Sequence, residues 1–268
     1  MGKIRTVLNR IYSDYLMSSR LSEYEAIITK ALELEYEHLS VNAYQALLKA
    51  NMLGSKRYFL HRHDIDTDAR TARKLFEIEK KHNIRSTFYF RLSTLDFDLM
   101  REIHDYGSEA SYHFEEIAQY CKDHGIHSQQ AALEHLPEIR EVFIENVKRI
   151  ESYGIKITTV ASHGDFVNRK LKLTNNRITD DKSLRKTLGL ELETYDEDFM
   201  QSLGIYVSDR PYPTYYSPQN IFDVLGNYDV ICMLSHPRQW KTNWVVNTKD
   251  NLGRVYEGLK WRPSPVER

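Results

Sequence analysis

From Tyr58 onward, short runs rich in aromatic and β-branched residues alternate with stretches of helical periodicity, and this alternation leaves few folds open to the chain. Tyr58–Arg62, Ser86–Leu92, Ser108–His113, Ile155–Ala161, Gly204–Ser208 and Val230–Leu234 read as strands. Between them, Asp68–Lys81 has Asp68 as a helix N-cap and an apolar face made of Ala72, Leu75, Phe76 and Ile78. Phe97–Tyr106 is a helix closed by Gly107, and Ser128–Tyr153 is a long amphipathic helix interrupted near Pro137. Strand–helix–strand order implies parallel strands joined by crossover helices. About six strands are too few for a regular eight-fold barrel. The expected fold is therefore α/β, a distorted or incomplete (β/α) barrel, with an open doubly wound sheet as the second choice.

Residues 1–56 read differently. Ser22–Leu34 spaces its apolar residues at helical intervals, with Ser22 as a cap and Glu25 completing a capping box, and Ser40–Met52 is a second helix. The expected organisation is a helical extension over 1–56 packed on a barrel over 57–268. Lys and Arg number 37 against 38 Asp and Glu, for a net charge of -1. That balance lacks the basic surplus of a nucleic-acid-binding protein. No run of about 18 apolar residues is present to span a membrane. The opening residues contain no apolar secretory core, so a cytoplasmic location is expected. The two cysteines, Cys121 and Cys232, form no CxxC pair, which argues against a zinc knuckle or a disulfide framework.

Ionisable residues gather at the strand ends. Asp64 and Asp66 follow the first barrel strand, and His113, His163, Asp209 and His236 follow four others. In a parallel barrel these ends open on one face, where active sites lie. Asp66, His113 and His163 supply one carboxylate and two imidazoles, a donor set for a divalent ion that leaves positions open for water and substrate. Asp64 and Asp66 stand two apart on an extended end and project to the same side. One can hold an ion while the other takes a proton from the attacking water, and His236 can serve as general acid on the leaving group. These parts describe metal-assisted hydrolysis of an amide or ester.

His63-Asp64-Ile65-Asp66, followed by a helix and Asn83–Phe90, resembles the opening of the polysaccharide deacetylase family, carbohydrate esterase family 4, which carries the nodulation-type deacetylase homology domain. Gly107–Glu115 resembles that family's second motif, and Ser162-His163-Gly164 falls where the third lies. Val207–Arg210 resembles the fourth, and Leu234–Pro237 with Trp240 the last. The five stand in family order over Tyr58–Trp244, and the region before Tyr58 resembles the extension of a bacterial subgroup with the HDxD opening. The resemblance implies a distorted barrel, one divalent metal ion, usually zinc, and removal of acetyl from an N-acetylated carbohydrate. It implies Asp64 as catalytic base, Asp66 and His113 as metal ligands and His236 as catalytic acid. Asp209, Arg210 and Trp240 are expected to touch substrate; Trp240 and Trp244, which follow His236, either wall the acetyl pocket, the reading favoured for Trp240, or close the barrel.

The chain departs from the family pattern in three places. Ile65 separates two aspartates that are usually adjacent, and Ile117 stands where a second motif histidine is usual. The missing imidazole is assigned to His163, with Glu115 or Glu116 as fallback. The third motif lacks the arginine that orients the base, and Arg62 or Arg210 is the substitute. His61 and His63 alternate with the aspartates and are read as structural, and His38 is read as solvent-facing. These losses keep a second class open, an inactive deacetylase-like glycan-binding or assembly protein. A two-histidine-one-carboxylate iron oxygenase is a third class, disfavoured by the strand–helix alternation.

Overall fold

The computed structural model describes residues 2–263. Nine strands among them form one sheet: β1 Tyr36–Leu39, β2 Arg57–Ile65, β3 Thr87–Phe90, β4 Glu109–Phe114, β5 Thr159–Ser162, β6 Leu192–Glu193, β7 Ile205–Asp209, β8 Tyr216–Ser217 and β9 Val230–Ser235. Their order is β6-β5-β4-β3-β2-β9-β7-β8, with β1 beside the first half of β2. Every pairing is parallel except β7 with β8. The path does not close from β6 back to β8, so the fold is the α/β, incomplete (β/α) barrel expected from the alternation.

Parallel strands covered on both faces are buried along their whole length, and β2 is buried from Tyr58 to Ile65. Its outward residues Phe59, His61 and His63 face the helices Leu21–Glu33 and Ala69–Lys81, while Leu60, Arg62 and Asp64 face the barrel interior. That interior is graded. At its N-terminal end Tyr58, Leu60, Leu192 and Cys232 pack with Val41 and Tyr44 of the helix Val41–Lys49, which plugs the barrel. Above the plug the interior turns ionic, and the strand ends deliver the polar residues. Asp68 caps the helix Ala69–Lys81, accepting from the Thr71 backbone at 3.2 Å; such a cap is worth about 1 kcal/mol.

Three strands escaped the sequence pattern. β1 lies inside the region expected to be helical, and the helix Leu21–Glu33 is preceded by Arg20 rather than capped by Ser22. His38, on β1, is not solvent-facing: it is buried and its Nδ1 lies 2.9 Å from His61 Nε2. β6 and β8 are two-residue strands whose pairing is set by tertiary contact. The long helix expected over Ser128–Tyr153 divides at His135 into Gln129–Glu134 and Leu136–Glu151, with Pro137 in the first turn of the second. Both cysteines are free and buried. Among the described residues, no helix is long and apolar enough to cross a membrane.

Candidate active site

The C-terminal ends of β2, β4, β5, β7 and β9 share one edge of the sheet, because register pairs Ile65 with Phe90, Phe114 with Ser162 and Ser208 with Leu234. Asp66, His113, His163, Asp209 and His236 meet there. His163 Nδ1 lies 3.0 Å from Asp66 Oδ1 and 3.1 Å from His113 Nε2, and His113 Nε2 is 3.3 Å from the same oxygen. Neighbouring ligands of a tetrahedral ion with bonds of about 2.0–2.1 Å stand about 3.3 Å apart, so these three atoms have the spacing of a ligand set. His113 Nδ1 donates to the Ala161 carbonyl at 2.9 Å, which leaves Nε2 with its lone pair facing the cluster. Asp66 Oδ1 is buried and makes no hydrogen bond. A buried oxygen without a donor is costly, and a cation is the partner that this position lacks. The residues present therefore fit a divalent ion.

Of the fallback ligands, Glu115 stands beside the cluster, its carboxylate within 4.8 Å of the ligand atoms of His163 and Asp165, but it is held by Arg91. Glu115 accepts two hydrogen bonds from Arg91, at 2.9 and 2.5 Å. Glu116 accepts from Tyr112 and Asn146, and burial pushes its carboxyl up to about 7. Ile117 is packed in the main core beneath the sheet, so that position faces apolar side chains rather than the cluster.

Asp64 lies beneath the cluster, with Oδ2 3.5 Å from His113 Nε2. Arg62, two residues earlier on the same face of β2, grips it with Nε at 2.9 Å and Nη2 at 2.8 Å. Burial works against the carboxylate, but the guanidinium and then His113 override it and hold Asp64 below the usual carboxylate range. Arg62 thus stands where an orienting arginine was sought, and Arg210 does not: it is exposed beside the cleft, its backbone bonded to Tyr215. Asp66 is likewise lowered, against burial, by His163, His113 and His236.

His236 stands on the other side of the cluster, with Nε2 4.0 Å from Asp66 Oδ2. Asp209 accepts from its Nδ1 and from its backbone N–H, both at 2.6 Å. Burial favours the neutral ring, but Asp209, followed by Asp66 and Asp64, overcomes it and raises His236 to about 9.

Two expected substrate contacts are corrected. Asp209 spends both carboxylate oxygens on His236, and its side chain is wholly buried, so it positions the imidazole. Trp240 has no exposed surface. The short helix Pro237–Trp240 turns it away from the cleft into the core against Tyr24 and Tyr216, with Arg20 over its ring. Sequence reasoning missed Arg91, which borders the cleft and donates to the Asp66 carbonyl at 3.2 Å. Its one signal is a charge immediately after an aromatic strand.

No protein-family model matches the chain, and no curated protein does. Among solved structures it is similar to the Xyl-CE4 domain of a multidomain xylanase from the hindgut metagenome of Trinervitermes trinervoides, at 15% identity over 79% of this chain and 88% of that chain, with a TM-score of 0.41. It is also similar to the peptidoglycan deacetylase PdaC from Bacillus subtilis, at 14% identity over 79% and 88%, TM-score 0.36. A third is a CE4 family pseudoenzyme from Bacillus anthracis, at 13% identity over 78% and 67%, TM-score 0.37.

Proposed function

We propose that the chain is a metal-dependent carbohydrate N-deacetylase of the polysaccharide deacetylase type, hydrolysing the acetamide of an N-acetylated sugar or glycan precursor. One observation carries this reading. A three-atom ligand set with an unsatisfied buried oxygen lies between a carboxylate gripped by a guanidinium, Asp64 with Arg62, and an imidazole gripped by a carboxylate, His236 with Asp209, pairings that favour the ionised carboxylate and the protonated ring. Amide hydrolysis needs those two opposite protonation states at one place.

Asp66, His113 and His163 would hold the ion. A divalent ion there supplies electrophilic activation of the acyl oxygen and acidifies an adjacent water. Asp64, kept ionised by Arg62, accepts the proton of the attacking water as its oxygen bonds to the acyl carbon. His236, kept protonated by Asp209, gives its proton to the nitrogen as the C–N bond breaks, so acetate and a free amine leave. Arg91 fixes the Asp66 backbone and occupies both carboxylate oxygens of Glu115.

The test is acetate release from N-acetylhexosamine oligosaccharides by the full chain, stripped of metal and then reloaded with zinc. Turnover restored by zinc supports the reading. Stoichiometric zinc with no turnover on any acetylated sugar, while the sugars still bind, would replace it with the non-catalytic glycan-binding alternative.

A further inference from the structure

The two helices that border the cleft are amphipathic in the inverted sense. The C-terminal helix, Trp244–Lys260, meets the rest of the chain through polar groups. Asn247, fully buried, donates to the Asp14 carbonyl at 2.7 Å, Asp250 pairs with Arg238 at 2.5 Å, and Glu257 pairs with Lys122 at 3.0 Å. Its apolar residues point outward. The N-terminal helix, Gly2–Ile11, lies beside it, with Arg10 Nη2 3.3 Å from Asn251 Oδ1, and also shows its apolar residues to solvent. Ile4, Leu8, Leu16, Trp244, Leu252 and Leu259 are each 59–70% exposed. On the C-terminal helix, spacing at 3.6 residues per turn puts the exposed Trp244, Leu252, Val255, Tyr256 and Leu259 on one face, and an exposed face of large apolar side chains marks an interaction surface.

The charges around the patch select the occupant. Arg5, Lys249 and Lys260 have no acidic partner among the described residues, whereas Asp14, Asp250 and Glu257, the acids of this region, are all paired to arginine or lysine. The surface is therefore apolar with unpaired cations, the composition of a helix that lies in an anionic lipid interface. A second copy of the chain is disfavoured, because a two-fold contact would bring the same unpaired cations together. We infer that the two terminal helices dock this protein peripherally on an anionic lipid surface. Val246, Lys249 and Gly253 of the same helix line the cleft beside Asp66 and His163, so docking would set the cleft mouth at the lipid headgroups. This inference stands on the surface alone and does not rest on the deacetylase reading.

The experiment is co-sedimentation of the full chain with vesicles of phosphatidylglycerol and phosphatidylcholine, and with vesicles of phosphatidylcholine alone. Trp244 fluorescence is a second readout, since the other two tryptophans, Trp240 and Trp261, are buried. Binding to the anionic vesicles with a blue-shifted Trp244 emission is expected, weakened by salt and by neutral lipid. Leu252→Glu with Leu259→Glu should reduce partitioning by at least about tenfold at an unchanged melting temperature, because both side chains are already in water. Three outcomes overturn the inference: no binding to either vesicle, undiminished binding of the double variant, or a wild-type dimer in solution that the double variant dissolves.

Discussion

On the inner face of β2, Arg62 and Asp64 sit against the ligand cluster; on its outer face, one residue away in each direction, His61 and His63 sit against Tyr24 and Glu79. Both sets are ionisable and buried. The outer one even has the donors of a metal site, with ligand atoms of His61, His63 and Glu79 close together. Those atoms, however, already have partners. The Tyr24 hydroxyl lies among them, donating to Glu79 at 2.6 Å with His61 Nδ1 at 3.1 Å, and His63 Nε2 bonds Glu79 at 2.7 Å. Burial, with His38 and His63 nearby, drives His61 well below the ordinary imidazole range, and it stays neutral. The inner cluster keeps an oxygen without a donor and opens on the cleft. Donor type is thus common to both faces, and each keeps a buried atom without a partner, His63 Nδ1 outside and Asp66 Oδ1 inside; what separates them is that the outer ligand atoms bond Tyr24 and Glu79 while the inner ones open on the cleft.

The largest effect is expected on the inner face. Asp64→Asn removes the proton acceptor and should lower acetate release by about 10²–10⁴. It also strands Arg62, and breaking a buried pair typically costs about 3–5 kcal/mol, so specific activity must be referred to the folded fraction. Replacing Arg62 and Asp64 together by Met and Leu should recover stability without recovering turnover. If corrected activity of Asp64→Asn stays within about tenfold of wild type, Asp64 is only the counter-ion of Arg62.

A smaller effect of another kind is expected on the outer face. Glu79 accepts from Tyr24, from His63 and, at 2.6 Å, from Ser86. Glu79→Gln leaves that cluster one acceptor short, and an unsatisfied buried group costs about 1–3 kcal/mol. Chemical denaturation should show this loss, while acetate release per folded molecule stays at the wild-type level. A tenfold fall in specific activity at full folding would mean that the outer network shapes the site through β2, and the contrast between the faces would collapse.

Much of this contrast was readable before any coordinates. Alternation along an extended strand puts residues 61 and 63 opposite 62 and 64, and the separation of Asp64 from the outer histidines follows from that alone. The five strand ends were readable because β-rich runs stop at ionisable residues. What was not readable is what neighbouring strands bring to each other. Asp209 ends β7 in the sequence, but its partner His236 follows β9, and only the pairing of Ser208 with Leu234 sets them side by side. Trp240 follows Pro237 closely, and sequence gives its position but not the direction in which a four-residue helix turns it. β1, Tyr-Glu-His-Leu, has no β-branched residue and becomes a strand through its pairing with Arg57–Leu60.

The pair missed across that register supplies the last and smallest test. His236 is raised to about 9, and after the opposing effect of burial the largest cause is Asp209. A raised imidazole is protonated below its folded value, so its contribution to stability is fully present below the unfolded value of about 6.5 and fades as pH rises through about 9. Activity should follow the same sign, with a general acid lost on the alkaline side. Asp209→Asn removes the charge and leaves one amide oxygen for the two donors of His236, its backbone N–H and its Nδ1–H. The alkaline limb of kcat/KM should then move to lower pH by about one unit, which corresponds to about 1.4 kcal/mol. Zinc content should be unchanged, since Asp209 touches none of the three ligands. An ion held by Asp66 would shift the limb downward in wild type and variant alike, so the difference between their profiles is the quantity to compare. A profile that keeps its alkaline limb in the variant would assign that limb to another group and return His236 to a structural role beside Pro237.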